Sequence, residues 1–113
     1  MQHLTAIRML MMARSTDRRV DLVIRGHPFH IDSIERVIVP SKEARLAATA
    51  GLEGLETDKD LPPEMNCGDL SGSVTMVIGQ LRNDEPTTNE FKTVHGCLLI
   101  DTDDVSAIAV RGR

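Results

Sequence analysis

The chain predicts an α+β, β-dominated fold: a small antiparallel barrel, or a strongly bent sheet, of about five strands. An N-terminal helix and a helix-plus-loop insertion complete it. Three observations predict this. Residues 93–110, TVHGCLLIDTDDVSAIAV, hold two apolar runs of strand character broken once by Asp101-Thr102-Asp103-Asp104. Asp and Thr side chains bond nearby backbone N–H groups, so the break suits a hairpin turn. Residues 19–39, RVDLVIRGHPFHIDSIERVIV, repeat that grammar, with Ile31-Asp32-Ser33-Ile34 echoing Ile100-Asp101 and Val105. The third observation is the core material: two Phe, no Tyr and no Trp leave Val, Ile, Leu and Met to fill the interior. Five short antiparallel strands escape edge exposure by closing on themselves. At 113 residues the expectation is a single domain.

Taken in order, residues 2–14 place Leu4, Ile7, Leu10 and Met11 near helical spacing, among good helix formers and with no Gly or Pro. An edge strand is the competing reading, since Thr5, Ile7, Met9 and Met11 also alternate. Met9, Met11 and Met12 read as core filler or a subunit interface. Ser15-Thr16-Asp17-Arg18 is a polar break. Residues 19–25 then form a strand with Val20, Leu22 and Ile24 on one face, turned at Gly26-His27-Pro28. Extended structure resumes to Val39, bent at Asp32-Ser33. Ser41 is an N-cap candidate for a helix over 42–50, with Leu46 and Ala50 as its buried stripe and Gly51 as its C′ residue.

Residues 52–72 are the least structured, with acidic residues interleaved among Gly and Pro. Residues 73–81 are β-branched-rich and predict a strand, with Gly79 marking a bulge. Residues 82–90 read as a polar loop around Pro86. The chain closes with strands over 92–101 and 105–110, expected to pair as a hairpin.

The order helix, strand, bent strand, insertion, strand, hairpin resembles Sm-like and related SH3-like barrels. Leu99-Ile100-Asp101-Thr102-Asp103-Asp104-Val105 resembles the Sm second motif in spacing. The resemblance covers about half the chain and implies an RNA-binding ring. That family places Arg-Gly in the turn to contact RNA; here the turn is carboxylate-rich, which ranks RNA binding last.

Charge and composition narrow the function classes. Residues 1–25 carry five arginines against Asp17 and Asp21, a balance of +3, whereas the other 88 residues carry 8 basic and 15 acidic side chains, or −7. Most of this surface repels a polyanion, so an anion site falls on the N-terminal segment. The scarcity of aromatics argues against reading nucleic acid by base stacking. Cys67 and Cys97 are no disulfide framework, no run reaches a membrane span, and Arg8 interrupts the N-terminal apolar residues. These features together predict a cytoplasmic protein without a secretory signal.

Two groups of residues carry candidate chemistry. Arg14, Arg18, Arg19 and Arg25 suit an anionic ligand, because the guanidinium fork grips phosphate bidentately. The competing reading is that they are solubilising surface charges. His27, His30, His95 and Cys97, with Cys67 as an extra, offer four N/S ligands of the kind tetrahedral zinc takes, though at no standard spacing. Small core and loop roles compete with zinc there. Asp101, Asp103 and Asp104 suit a hard cation or a solvated turn. No nucleophile elbow, phosphate-binding Gly-rich loop or HExxH occurs, which leaves an enzyme unsupported.

The reading that follows is a non-catalytic, homo-oligomeric binding protein without a cofactor, its N-terminal arginines holding a phosphorylated, nucleotide-type ligand. The alternatives are a protein-binding adaptor or inhibitor of phage or mobile-element type, acting through the acidic loop 53–69 or a strand edge, and an Sm-like RNA-binding ring.

Overall fold

Fourteen residues rich in Leu, Met, Ala and Arg open the chain as helix α1 (His3–Thr16). The computed structural model describes residues 2–52, 54–60, 70, 72–83 and 92–112. The buried stripe of α1 is Ala6, Ile7, Leu10 and Ala13. Ile7 and Leu10 were expected there. Leu4 and Met11 are only half-buried, because the small alanines let the helix approach the sheet most closely. The alternation of Thr5, Ile7, Met9 and Met11 therefore carries no strand. The helix also continues through Ser15 and Thr16, whose hydroxyls donate to the Met12 carbonyl at 3.1 and 2.7 Å. Asp17, at φ 52°, ends it in the left-handed conformation.

Strand β1 (Val20–Ile24) turns directly into β2 (His27–Val39). Arg25 (φ 49°) and Gly26 (φ 80°) form a two-residue turn in which both residues have positive φ, as a type I′ hairpin requires. The turn thus lies one residue earlier than Gly26-His27-Pro28 suggests, and His27 and Pro28 open β2.

Thirteen residues make β2 too long to stay flat. Its first part pairs with β1 and its later part with β4 (Val74–Asn83), with register shifts between Ile31 and Ser33 and between Ile34 and Arg36. The expected bend at Asp32-Ser33 is therefore a ladder irregularity. Gly79 sits against it: a Cβ there would lie 2.0 Å from the Ser33 carbonyl oxygen. β4 also runs on through Arg82 and Asn83, which the sequence assigns to a loop.

Helix α2 (Ser41–Thr49) follows β2, with Pro40 in the N-cap position and the Ser41 hydroxyl turned to Asp58 at 3.0 Å. The expected stripe is wrong here. Leu46 is 52% exposed and Ala47 is the buried residue. Gly51, at φ 86°, takes the left-handed position just past the helix. Part of the supposedly unstructured stretch is pinned, since β3 (Glu56–Thr57) runs parallel to the end of β2. Glu56 accepts from Arg36 Nε and Nη2 at 2.6 and 3.0 Å. The rest of the acidic loop, from 61 to 69, and the Pro86 loop lie outside the described residues.

β5 (Lys92–Asp101) pairs with β4, and β6 (Val105–Val110) pairs with β1. The strand order is β5-β4-β2-β1-β6, antiparallel except for β3. The fold is thus α+β and strand-dominated, with a bent six-stranded sheet and two helices, and the sheet does not close into a barrel. It also overturns the closing hairpin. β5 and β6 do not pair with each other but stand at opposite ends of the sheet, joined by the 3-10 turn Thr102–Asp104. Asx chemistry does shape that turn, as Asp101 Oδ1 accepts from the Asp103 N–H at 3.1 Å. What it builds is a crossing between sheet ends.

The two similar ribbons do share one interior. Ile31, Ile34 and Val37 of β2 pack with Ile100 and Val105, with Val77 of β4, and with Leu10 and Ala13 of α1. A smaller cluster of Ile38, Met76 and Ile78 packs with Leu70 and Cys97. Among the described residues no helix is long and apolar enough to cross a membrane.

Candidate functional site

The end of α1 and the start of β1 bring three of the four nominated arginines to one corner. Arg18 N–H donates to the Ala13 carbonyl at 3.0 Å, tying the junction to the helix. Arg14 Nε donates to the Glu35 carbonyl at 2.9 Å. Arg18 and Arg19 are exposed and form no ion pair among the described residues. Arg25 is elsewhere. It lies beyond the other end of five-residue β1, roughly 17 to 20 Å along the strand at about 3.3 Å per residue. There its Nη2 pairs with Asp104 Oδ2 at 2.9 Å, and its backbone N–H donates to the Asp104 carbonyl.

The ladder adds residues to this corner that sequence reasoning missed. Arg111, just past β6, donates its backbone N–H to the Arg19 carbonyl at 2.8 Å. Its Nε donates to Asp21 Oδ2 at 2.7 Å, and His30 Nδ1–H donates to Asp21 Oδ1, also at 2.7 Å. Arg111, Asp21 and His30 thus form a row across β6, β1 and β2. The signal existed in the sequence only as an alternation that puts Arg19 and Asp21 on one face. Nothing local says that residue 111 returns beside residue 19.

The His30 hydrogen bond, followed by that from Arg111, holds the Asp21 carboxyl below its ordinary pKa, against the opposing effect of burial. A depressed carboxylate stabilises the fold above the ordinary range near pH 4, and that contribution is lost as pH falls through the folded value. Asp21→Asn is therefore expected to lower the urea midpoint at pH 7 and to lower it less at pH 3. An equal deficit at both pH values would remove the electrostatic account.

The nominated zinc ligands do not converge. β4 lies between β2, which carries His27 and His30, and β5, which carries His95 and Cys97. That is about 10 Å across two strand spacings. His30 is engaged by Asp21, and His95 faces Gln80 across the ladder with Glu35 at 3.2 Å. Cys97, opposite Ile78, packs on the smaller apolar cluster, and Cys67 lies outside the described residues. Among the described residues no three His, Cys, Asp or Glu side chains gather to hold a metal ion.

The acidic turn spends its carboxylates on protein partners. The Ser73 hydroxyl lies 2.6 Å from Asp101 Oδ1 and 3.0 Å from Asp103 Oδ2, and Asp104 takes Arg25. Ser73 is the main reason the Asp101 carboxyl is held below its ordinary value. Buried Thr102 donates its hydroxyl to the Ser73 carbonyl at 3.1 Å and accepts from His3 Nδ1 at 2.7 Å, fastening α1 to the turn.

No family model, curated protein or solved structure matches the chain. The geometry of the arginine corner and of the sheet edges is therefore what a functional reading rests on.

Proposed function

We propose that the chain is a non-catalytic, homo-oligomeric binding protein whose copies join edge to edge. In this reading the N-terminal arginines hold a phosphorylated, nucleotide-type ligand. The observation that carries the reading is the pair of sheet ends: among the described residues, β5 and β6 each have a strand neighbour on one side only. Unpaired strand edges present N–H and C=O groups ready to pair with another chain. Two different edges on one molecule make a heterologous contact, which closes into a ring or runs into a filament. The element order, with the bent β2 and the turn between β5 and β6, supports a likeness to Sm-like and SH3-like barrels. The carboxylates of Asp101, Asp103 and Asp104 weigh against RNA at that turn.

Arg18 and Arg19 support the ligand. They are exposed cations without a carboxylate partner among the described residues, on a chain of net charge −4. Arg14 stands beside them, and Arg25 joins them only across a subunit boundary. The half-exposed Leu99 on β5 favours a second reading, an adaptor that accepts a foreign strand at that edge.

Native mass spectrometry, with titration calorimetry against a nucleotide panel at low and high salt, tests the proposal. The expected result is a defined multiple of the 12.4 kDa chain and nucleotide heat that shrinks with salt. Leu99→Lys is expected to shift the assembly toward single chains, since edge lysines oppose strand pairing. A bare monomer at every concentration, with no nucleotide heat, would end this reading and favour the adaptor.

A further inference from the structure

We infer that Arg111 is a binding residue of the arginine corner, forming with Arg19 a two-guanidinium clamp for a phosphate group, and that Asp21 positions it. This rests on the reading that the N-terminal arginines hold a phosphorylated ligand.

The register sets the clamp. Val20 pairs with Val110, and the hydrogen bond from Arg111 N–H to the Arg19 carbonyl extends that ladder by one residue pair. Arg19 and Arg111 therefore stand directly opposite each other at the end of the β1–β6 ladder. Arg111 reaches the face that carries Asp21, and strand alternation puts Arg19 on that same face. Their Cβ atoms are then about 5 Å apart, the cross-strand placement at which like charges destabilise a sheet.

Asp21 offsets only part of this repulsion. It engages Arg111 through Nε alone and divides its carboxylate with His30, while Arg19 forms no ion pair among the described residues. Two opposed guanidiniums sharing half a carboxylate are an unbalanced arrangement for the free protein. A phosphate seated between them balances it, accepting from the Nη groups of Arg111 and from the Arg19 fork. Asp21 fixes the direction in which Arg111 points, which lowers the ordering cost of binding. A phosphate group with at least two free oxygens is the ligand chemistry this geometry takes.

Titration calorimetry at low salt, with inorganic pyrophosphate as the probe, tests the assignment. Arg111→Gln is expected to weaken binding at least about tenfold, the loss of one charge-assisted contact. Arg45→Gln, an exposed arginine on α2, is expected to bind as the wild type does. Asp21→Asn is expected to weaken binding less than Arg111→Gln. Thermal melts without ligand give an independent readout. Arg19→Gln is expected to melt no lower than the wild type, because it removes a repulsion, and to gain less from added pyrophosphate. If the wild type binds pyrophosphate and Arg111→Gln binds it equally well, the clamp is overturned while the N-terminal reading stands. If the wild type binds neither pyrophosphate nor any nucleotide, the earlier reading fails and the clamp fails with it.

Discussion

Gly79→Ala is expected to cost more than about 3 kcal/mol of folding stability, beyond the usual range of roughly 1–3 kcal/mol for overpacking. The added Cβ would fall 2.0 Å from the Ser33 carbonyl oxygen, 3.0 Å from its carbon and 3.1 Å from the Ile34 Cα. All three are backbone atoms, so no rotamer change relieves the clash. Relief requires β2 to move off Gly79 where its register with β4 shifts, between Ile31 and Ser33 and between Ile34 and Arg36. Gly96 supplies the control. It pairs with Gly79 in the β4–β5 ladder, but among the described residues a Cβ there meets only the Leu81 side chain, at 3.2 Å from Cδ1. Gly96→Ala is expected to cost about 1 kcal/mol or less, because a leucine can rotate. Urea denaturation followed by circular dichroism measures both. A Gly79→Ala midpoint within error of the wild type would mean that β2 does not bulge over this residue.

Ile31→Ala is expected to cost about 2–5 kcal/mol, the range for truncating a fully buried aliphatic side chain. Ile31 is 1% exposed and stands opposite Val20 on one side and Leu81 on the other. It therefore bridges the half of the sheet that ends in β6 and the half that ends in β5. Phe29→Ala, two residues away, is expected to cost less than half as much. Phe29 is 38% exposed despite being one of only two aromatics. Against a typical stability of roughly 5–15 kcal/mol, the first change is expected to bring the melting temperature down by many degrees and the second by few. If the two variants melt together, Ile31 is not the residue that joins the two halves.

What was readable in advance follows from how far apart the deciding residues are. The end of α2 at Gly51 and the Asx turn at Asp101 rest on one residue's backbone freedom or on contacts local in sequence. The bend at Asp32-Ser33 and Gly79 were each marked by their own residue types, although the irregularity that joins them is a contact between β2 and β4. The misreadings are non-local. Residues 93–110 carry every local mark of a hairpin, and a hairpin is the cheaper pairing in loop entropy. The chain instead sends β6 to β1, which puts Ile100 and Val105 in one core with Val20 and Leu22. Leu46 looked like the buried residue of α2 by size, but the helix turns Ala47 inward.

The candidate site divides in the same way. Arg14, Arg18 and Arg19 were visible as a charge imbalance, since charge is a property of the composition of a segment. Their separation from Arg25 required the length and direction of β1. The addition of Arg111 required the β1–β6 register, a pairing across 90 residues that no window along the chain contains. His27, His30, His95 and Cys97 formed a ligand set only on paper, because β4 runs between the two pairs.

By itself, then, the sequence determined the strand-dominated class, the helix at each predicted place and the aliphatic interior. Periodicity and backbone permissiveness are written within a few residues. The tertiary structure decided which strands became the open ends of the sheet and which arginines met. Those outcomes depend on burying one shared set of side chains, a condition that no segment satisfies alone.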